Sequence, residues 1–198
     1  MPICFKQANM STTLIDLMAK KEGMNTLPKV DPNTQSISGK DEQEVNLLSQ
    51  AAITAVLAAF YKYSRDENNA EAILENNEIM DWPDKLFGNN KSSLVVKIAS
   101  YAGVGAAQAK SKVYKVISDF IQVIQEVVKD NSGKSVKSVL TEERSNILLH
   151  LPAVLGIGKM IDDSTLDDRT NKMEGPVSGL MHTIEKTFAG SDNTGGNN

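Results

Sequence analysis

The stretch VNLLSQAAITAVLAAFYKY, from Val45 to Tyr63, constrains the fold more than any other part of the chain. It is close to the length of a membrane span, about 20 residues. It is also rich in alanine and interrupted by Asn46, Ser49, Gln50, Thr54 and Lys62. That pattern favours a central helix buried on most sides over a helix in lipid. At 198 residues the chain can bury such a helix in one core without disulfide or metal staples. A formal net charge of −4 argues against attraction of the whole surface to nucleic acid or anionic lipid. Cys4 is the one cysteine, which excludes an intrachain disulfide and a cysteine metal cluster. A reducing, cytoplasmic setting is expected. MPICFKQANM lacks the apolar run of a signal peptide. Residues 1–10 read as an N-terminal extension, with Met10 as an alternative start.

Helical spacing recurs along the rest. Ser11 or Thr12 caps a first helix that runs to about Lys21 and ends at Gly23. TLPKVDPNTQSISGKD reads as a loop, because Pro28 and Pro32 deny a helix. After Val45–Tyr63 comes an acidic helical segment, SRDENNAEAILENNEIMDWPDKLFG, ended by Trp82-Pro83 and Gly88. A short helix covers Leu94 to Ala102. The clearest periodicity follows: Val113, Val116, Ile117, Phe120, Ile124, Val127 and Val128 share one helical face. This helix is expected to be long and central, and Gly133 closes its segment. VLTEERSNILLHL is a further helix with Thr141 as its cap, and Pro152 opens PAVLGIGKMI in a first turn. Thr165 and Asp168 resemble a capping box. Asp167 and Asp168 suit the positive end of a helix dipole. A last helix, about Val177 to Phe188, gathers Val177, Leu180, Met181, Ile184 and Phe188 on one face, before a disordered tail at residues 189–198. No segment shows sustained strand alternation. The expected fold is all-α: a multihelical bundle of roughly seven to nine helices. A helix-turn-helix-like pair lies near the middle of a single domain over residues 11–188.

LFGNNKSSLVVKIASYAGVGAAQAKSKVYKVISDFIQVIQEVV, Leu86 to Val128, resembles the YidB-like family of uncharacterised bacterial helical proteins. The likeness lies in the Leu86-Phe87-Gly88 element, a helix of small and apolar residues, a glycine turn at Ala102-Gly103-Val104, and a long apolar helix after it. LIDLMAKK and NNAEAILENN fit the family's opening. The resemblance covers much of residues 11–130 and implies an all-helical fold without assigning any chemistry. Residues 134–188 then read as a C-terminal helical extension. The long polar loop Thr26–Glu44 departs from compact relatives.

IASYAGVGAAQAKSKVYKVI, Ile98 to Ile117, is close to the rhythm of helix-turn-helix repressors. From Lys85 to Lys115 there are six lysines and no acid; from Asp66 to Asp84 there are seven acids and no base. A basic helix gains affinity for DNA by displacing counterions from phosphates. Gln108, Lys110, Lys112 and Lys115 are the candidate contacts. Against this, the segment has no arginine, the commonest base reader, and Lys112 falls where a repressor buries an apolar residue. If the acids pair with the lysines inside the fold, Gly103 and Gly105 are simply the structural turn between packed helices.

The remaining motifs point away from chemistry. DDSTLDD, Asp162 to Asp168, lacks the alternating ligands, central glycine and terminal glutamate of a calcium loop. His150 and His182 have no recognisable nucleophile motif to serve, and Cys4 sits in the extension. Each histidine reads as partly buried and hydrogen-bonded. GIGKM lacks the spacer and hydroxyl residue of a phosphate loop, and GVG follows no strand. Gly156 and Gly158 suggest a kink or close helix approach instead. No catalytic, cofactor-binding or metal-ligating residue is expected. The expected function is a non-enzymatic helical interaction or scaffold protein whose partner is a protein or a second copy. Its surface is the groove beside Val113–Val128, widened by Ile121 and Val123. The alternative is a DNA-binding regulator acting through residues 98–117. Convergent, solvent-facing lysines favour DNA; lysines paired with Asp66–Asp84 favour a scaffold.

Overall fold

The computed structural model describes residues 12–31, 46–75 and 79–167. Among these residues there are eight α-helices and no strand. They are α1 (Leu14–Lys21), α2 (Leu47–Tyr63), α3 (Glu67–Glu75), α4 (Trp82–Phe87), α5 (Lys91–Ala102), α6 (Ala106–Val127), α7 (Gly133–His150) and α8 (Ile157–Met160). None of them is long and apolar enough to cross a membrane.

α2 is the centre of the bundle. Fourteen of its seventeen residues are buried, and α1, α4, α5, α6, α7 and α8 all pack against it. Its buried polar residues have local partners, which is how a helix can be buried on most sides without stranding hydrogen-bonding groups. Asn46 caps its first turn by accepting from the Ser49 N–H. The Gln50 amide donates to the Pro28 and His150 carbonyls, which joins the segment after α1 to the end of α7. Thr54 donates to the Gln50 carbonyl.

α6 is the longest helix, with 22 residues, and lies along α2. Phe120 stacks on Phe60 of α2 with ring centroids 4.1 Å apart, and Trp82 of α4 tilts against Phe60 at 5.1 Å. All three rings are fully buried and form an aromatic cluster between α2, α4 and α6. The predicted stripe on α6 is buried except at Val127, which is 38% exposed. Ile121 and Val123 are buried as well, so the extra width of the stripe faces the core and not a partner.

Several boundaries differ from expectation. The cap of α1 is Thr13, which forms a capping box with Asp16. Trp82-Pro83 begins α4 instead of ending a helix, because proline fits a first turn. Lys91 starts α5, three residues before Leu94. α7 starts at Gly133 with Ser132 as its cap; Thr141 lies inside it and bonds to the Lys137 carbonyl. Gly133 is required by packing: a β-carbon there would sit 2.5 Å from the Glu67 carbonyl of α3. Gly158 is similarly tight, with 2.3 Å from such a carbon to the Asp163 carbonyl. Thr165 sits in a 3-10 turn and donates to Asp163, while Asp168 lies outside the described residues. Also outside them are residues 1–11, most of the Thr26–Glu44 loop, the Val177–Phe188 segment and the tail.

Candidate functional site

The first half of α6 carries two unlike surfaces. Both follow from the turn between α5 and α6. Gly103 adopts φ +66°, and the Val104 N–H reaches back to the Ala99 carbonyl at 3.0 Å, closing α5 in a Schellman-type end. Gly105 then caps α6. A β-carbon at Gly103 would meet nothing within 4 Å, so the turn needs glycine for its backbone and not for space.

One surface is a cleft of about 540 Å³ between the start of α2, the end of α5 and α6. Gln108, Ser111, Lys112 and Lys115 line its α6 side, and Asn46 lies opposite. Three of the candidate nucleic-acid contacts are therefore brought together, with Gln108 exposed. Two of the three are already engaged. The Lys112 ammonium donates to Glu22 and, at 3.2 Å, to Ser49. Lys115 donates to Glu22 at 2.8 Å and to Asp119 at 2.6 Å. Ser49 donates to Glu22 at 3.2 Å. The Glu22 side chain is only 3% exposed. Burial pushes its carboxyl up, but the hydrogen bonds and charges of Lys112 and Lys115 outweigh that and hold it below the ordinary glutamate value. Lys115 is raised, first by Asp119 and then by Glu22.

Glu22 was missed in the sequence, though it left a signal. It ends α1, where the helix dipole favours a cation. An acid next to Gly23 at that position implies compensating positive charge nearby, and α6 supplies it.

The other surface is a groove of about 290 Å³ between α4, α5 and α6. Pro83, Phe87, Leu94 and Val113 are buried and form its floor. Val96 projects beside it and is 60% exposed. Lys110 parts company with the other candidates and lies here, its ammonium 5.8 Å from the Tyr114 ring centroid.

The remaining lysines of the basic stretch are dispersed. Lys85 lies over the Trp82 ring at 5.0 Å, and Lys97 donates to the Leu155 carbonyl at 2.9 Å. Lys91 pairs with Asp84 at 2.6 Å, the one ion pair among the described residues that joins the basic and acidic stretches.

His150 is buried, and its Nδ1 lies 2.8 Å from the Asn146 carbonyl. Burial depresses its proton affinity below that of an ordinary histidine. His182 lies outside the described residues. In the acidic string, Asp163 is buried and pairs with Arg65 at 2.6 Å. Asp167 accepts from the Gly158 and Lys159 N–H groups of α8, the short helix before it, and follows a 3-10 turn instead of beginning a helix within the described residues. Among the described residues no group of three or more His, Cys, Asp or Glu side chains is arranged to hold a metal ion. No protein-family model, curated protein or solved structure matches the chain.

Proposed function

We propose that the chain is a non-enzymatic helical interaction protein, acting in a reducing, cytoplasmic setting, and that it docks a protein helix in the α4–α5–α6 groove. The observation that carries this reading is Val96, 60% exposed on the wall of a groove whose floor is made by the buried apolar side chains of Pro83, Phe87, Leu94 and Val113. Amphipathic helices bind such grooves by inserting apolar residues from one face. Lys110 at the rim favours a helix with an acidic flank, from another protein or a second copy. The test is selection of displayed amphipathic helical peptides against the full chain. Binders are expected to lose affinity in Val96→Glu and Lys110→Glu. Binders that ignore both changes would sink the reading.

The alternative is a DNA-binding regulator using residues 98–117. The specific support for it is that α5, the Gly103 turn and α6 form a helix-turn-helix pair with Gln108 exposed. Glu22 and Asp119 weigh against it, because they neutralise the lysines that would meet phosphate. Weak, sequence-indifferent DNA binding is expected. Nanomolar, sequence-selective binding at physiological salt, lost in Gln108→Ala with the fold intact, would establish the alternative. The YidB-like resemblance is compatible with either reading.

A further inference from the structure

We propose that the chain's own segment 177–188 occupies the α4–α5–α6 groove and that a partner must displace it. The inference rests on the docking reading above and adds an occupant to it. Three observations converge on this segment.

The first is where the described chain ends. Asp167 is tied to the start of α8 by its bonds from Gly158 and Lys159, at 2.9 and 2.6 Å. α8 is tied to the start of α5, because the Asn90 amide donates to the Met160 carbonyl at 2.7 Å. The chain therefore leaves close to the first turn of the helix that lines the groove, where Lys91 and Ser92 sit. α5 is about 18 Å long at 1.5 Å per residue. The connector at residues 168–176 spans up to about 30 Å when extended. The groove is within reach.

The second is pattern. Val177, Leu180, Met181, Ile184 and Phe188 fall on one helical face, and an apolar face of that width needs a cover. The groove floor is apolar, whereas the cleft on the other side of α6 is lined by Gln108, Ser111 and two lysines. Of these two surfaces the groove matches.

The third is charge. In a helix with that spacing Glu185 would fall at the edge of the apolar face and Lys186 about 100° further round. Lys110, at the groove rim, has a ring contact and no carboxylate among the described ion pairs. A tethered segment is present at an effective concentration around millimolar, so it holds the groove against a dilute competitor.

The experiment uses the full chain with Cys4→Ser. Val96→Cys with Met181→Cys is compared with Val127→Cys plus Met181→Cys under mild oxidation, and products are read by mass spectrometry. The first pair is expected to form an intramolecular disulfide about tenfold faster than the second, given proximity in the groove. Equal rates overturn the proposal. An intermolecular disulfide from the first pair overturns it too and assigns the groove to a second copy, which leaves the docking reading standing. A labelled peptide of residues 174–190 is then added in trans. It is expected to bind the full-chain Leu180→Asp/Ile184→Asp variant about tenfold more tightly than the unaltered protein. Equal binding to both overturns displacement. An intramolecular disulfide combined with no helical peptide that maps to Val96 in either protein overturns the docking reading and with it displacement.

Discussion

The two sides of α6 use lysine in opposite ways. On the cleft side, Lys112 and Lys115 converge on one buried carboxylate, and their charge is consumed by the fold. On the groove side, Lys110 meets only an aromatic ring among its described contacts, and the surface beneath it is apolar. The first arrangement ties three helices together, because Glu22 ends α1, Ser49 begins α2 and both lysines belong to α6. The second ties nothing. Clustered lysines in a sequence therefore say little about binding until their acids are located. The exposed Val96 beside an apolar groove is the better pointer to a partner.

The comparison can be broken in several places. The largest effect is expected beneath both sides. Phe120→Ala should cost about 3–5 kcal/mol by denaturant unfolding, since the ring is fully buried against Phe60. Unfolding of the two regions in separate steps would show that they do not share a core. Next, Glu22→Ala should cost about 1–3 kcal/mol, because it strips two ammonium groups and the Ser49 hydroxyl of their shared acceptor. A loss under 0.5 kcal/mol, the size of a surface change, would mean that the cleft is no tie.

Gly103→Val should cost about 1–2 kcal/mol from backbone strain alone, since no neighbour obstructs the side chain. The groove side should respond least. Val96→Glu should stay within about 0.5 kcal/mol of the unaltered protein, which separates docking from stability.

Acid should act on the cleft side and on the end of α7. Burial holds folded His150 below its ordinary value of 6.5, so the unfolded chain takes up the proton first. Stability should begin to fall as pH drops below 6.5, and His150→Gln should flatten that limb. Glu22 adds a second loss. Its contribution is present above 4.5 and disappears as pH falls through its lower folded value. At the alkaline end, the contribution of Lys115 is complete below 10.5 and is lost as pH rises through its raised folded value. A stability curve flat from pH 7 to 5 would contradict the His150 assignment, and one flat below pH 4.5 would contradict that of Glu22.

Much of this was legible in the sequence. The buried run Leu48–Tyr61, the stripe on α6 and the Gly103 turn announced themselves by composition and period, since those depend on local rules. The expected partnership of Lys85–Lys115 with Asp66–Asp84 was legible only in part. Lys91 meets Asp84, whereas Lys112 and Lys115 meet an acid some 90 positions away. No periodicity encodes a contact that distant. The start of α7 was obscured because Gly133 looks like a stop, and its reason for being there is the backbone of α3. The placement of Lys110 apart from Lys112 follows from a half-turn of α6. Their divergence was readable, but what each would face was not.

The position of α2 has a consequence for synthesis. Its cover comes from both ends of the chain, with α1 before it and α6, α7 and α8 after it. While the chain is being made, α2 leaves the ribosome long before α7 exists. The 87 residues from Ser64 to His150 must still be added. At about 5–20 residues per second that takes on the order of 4–17 s. Throughout that interval a helix with hardly any polar side lacks part of its permanent cover, that of α7 and α8. Slowing translation after Tyr63 is therefore expected to increase aggregation of the nascent chain and its capture by holdase chaperones.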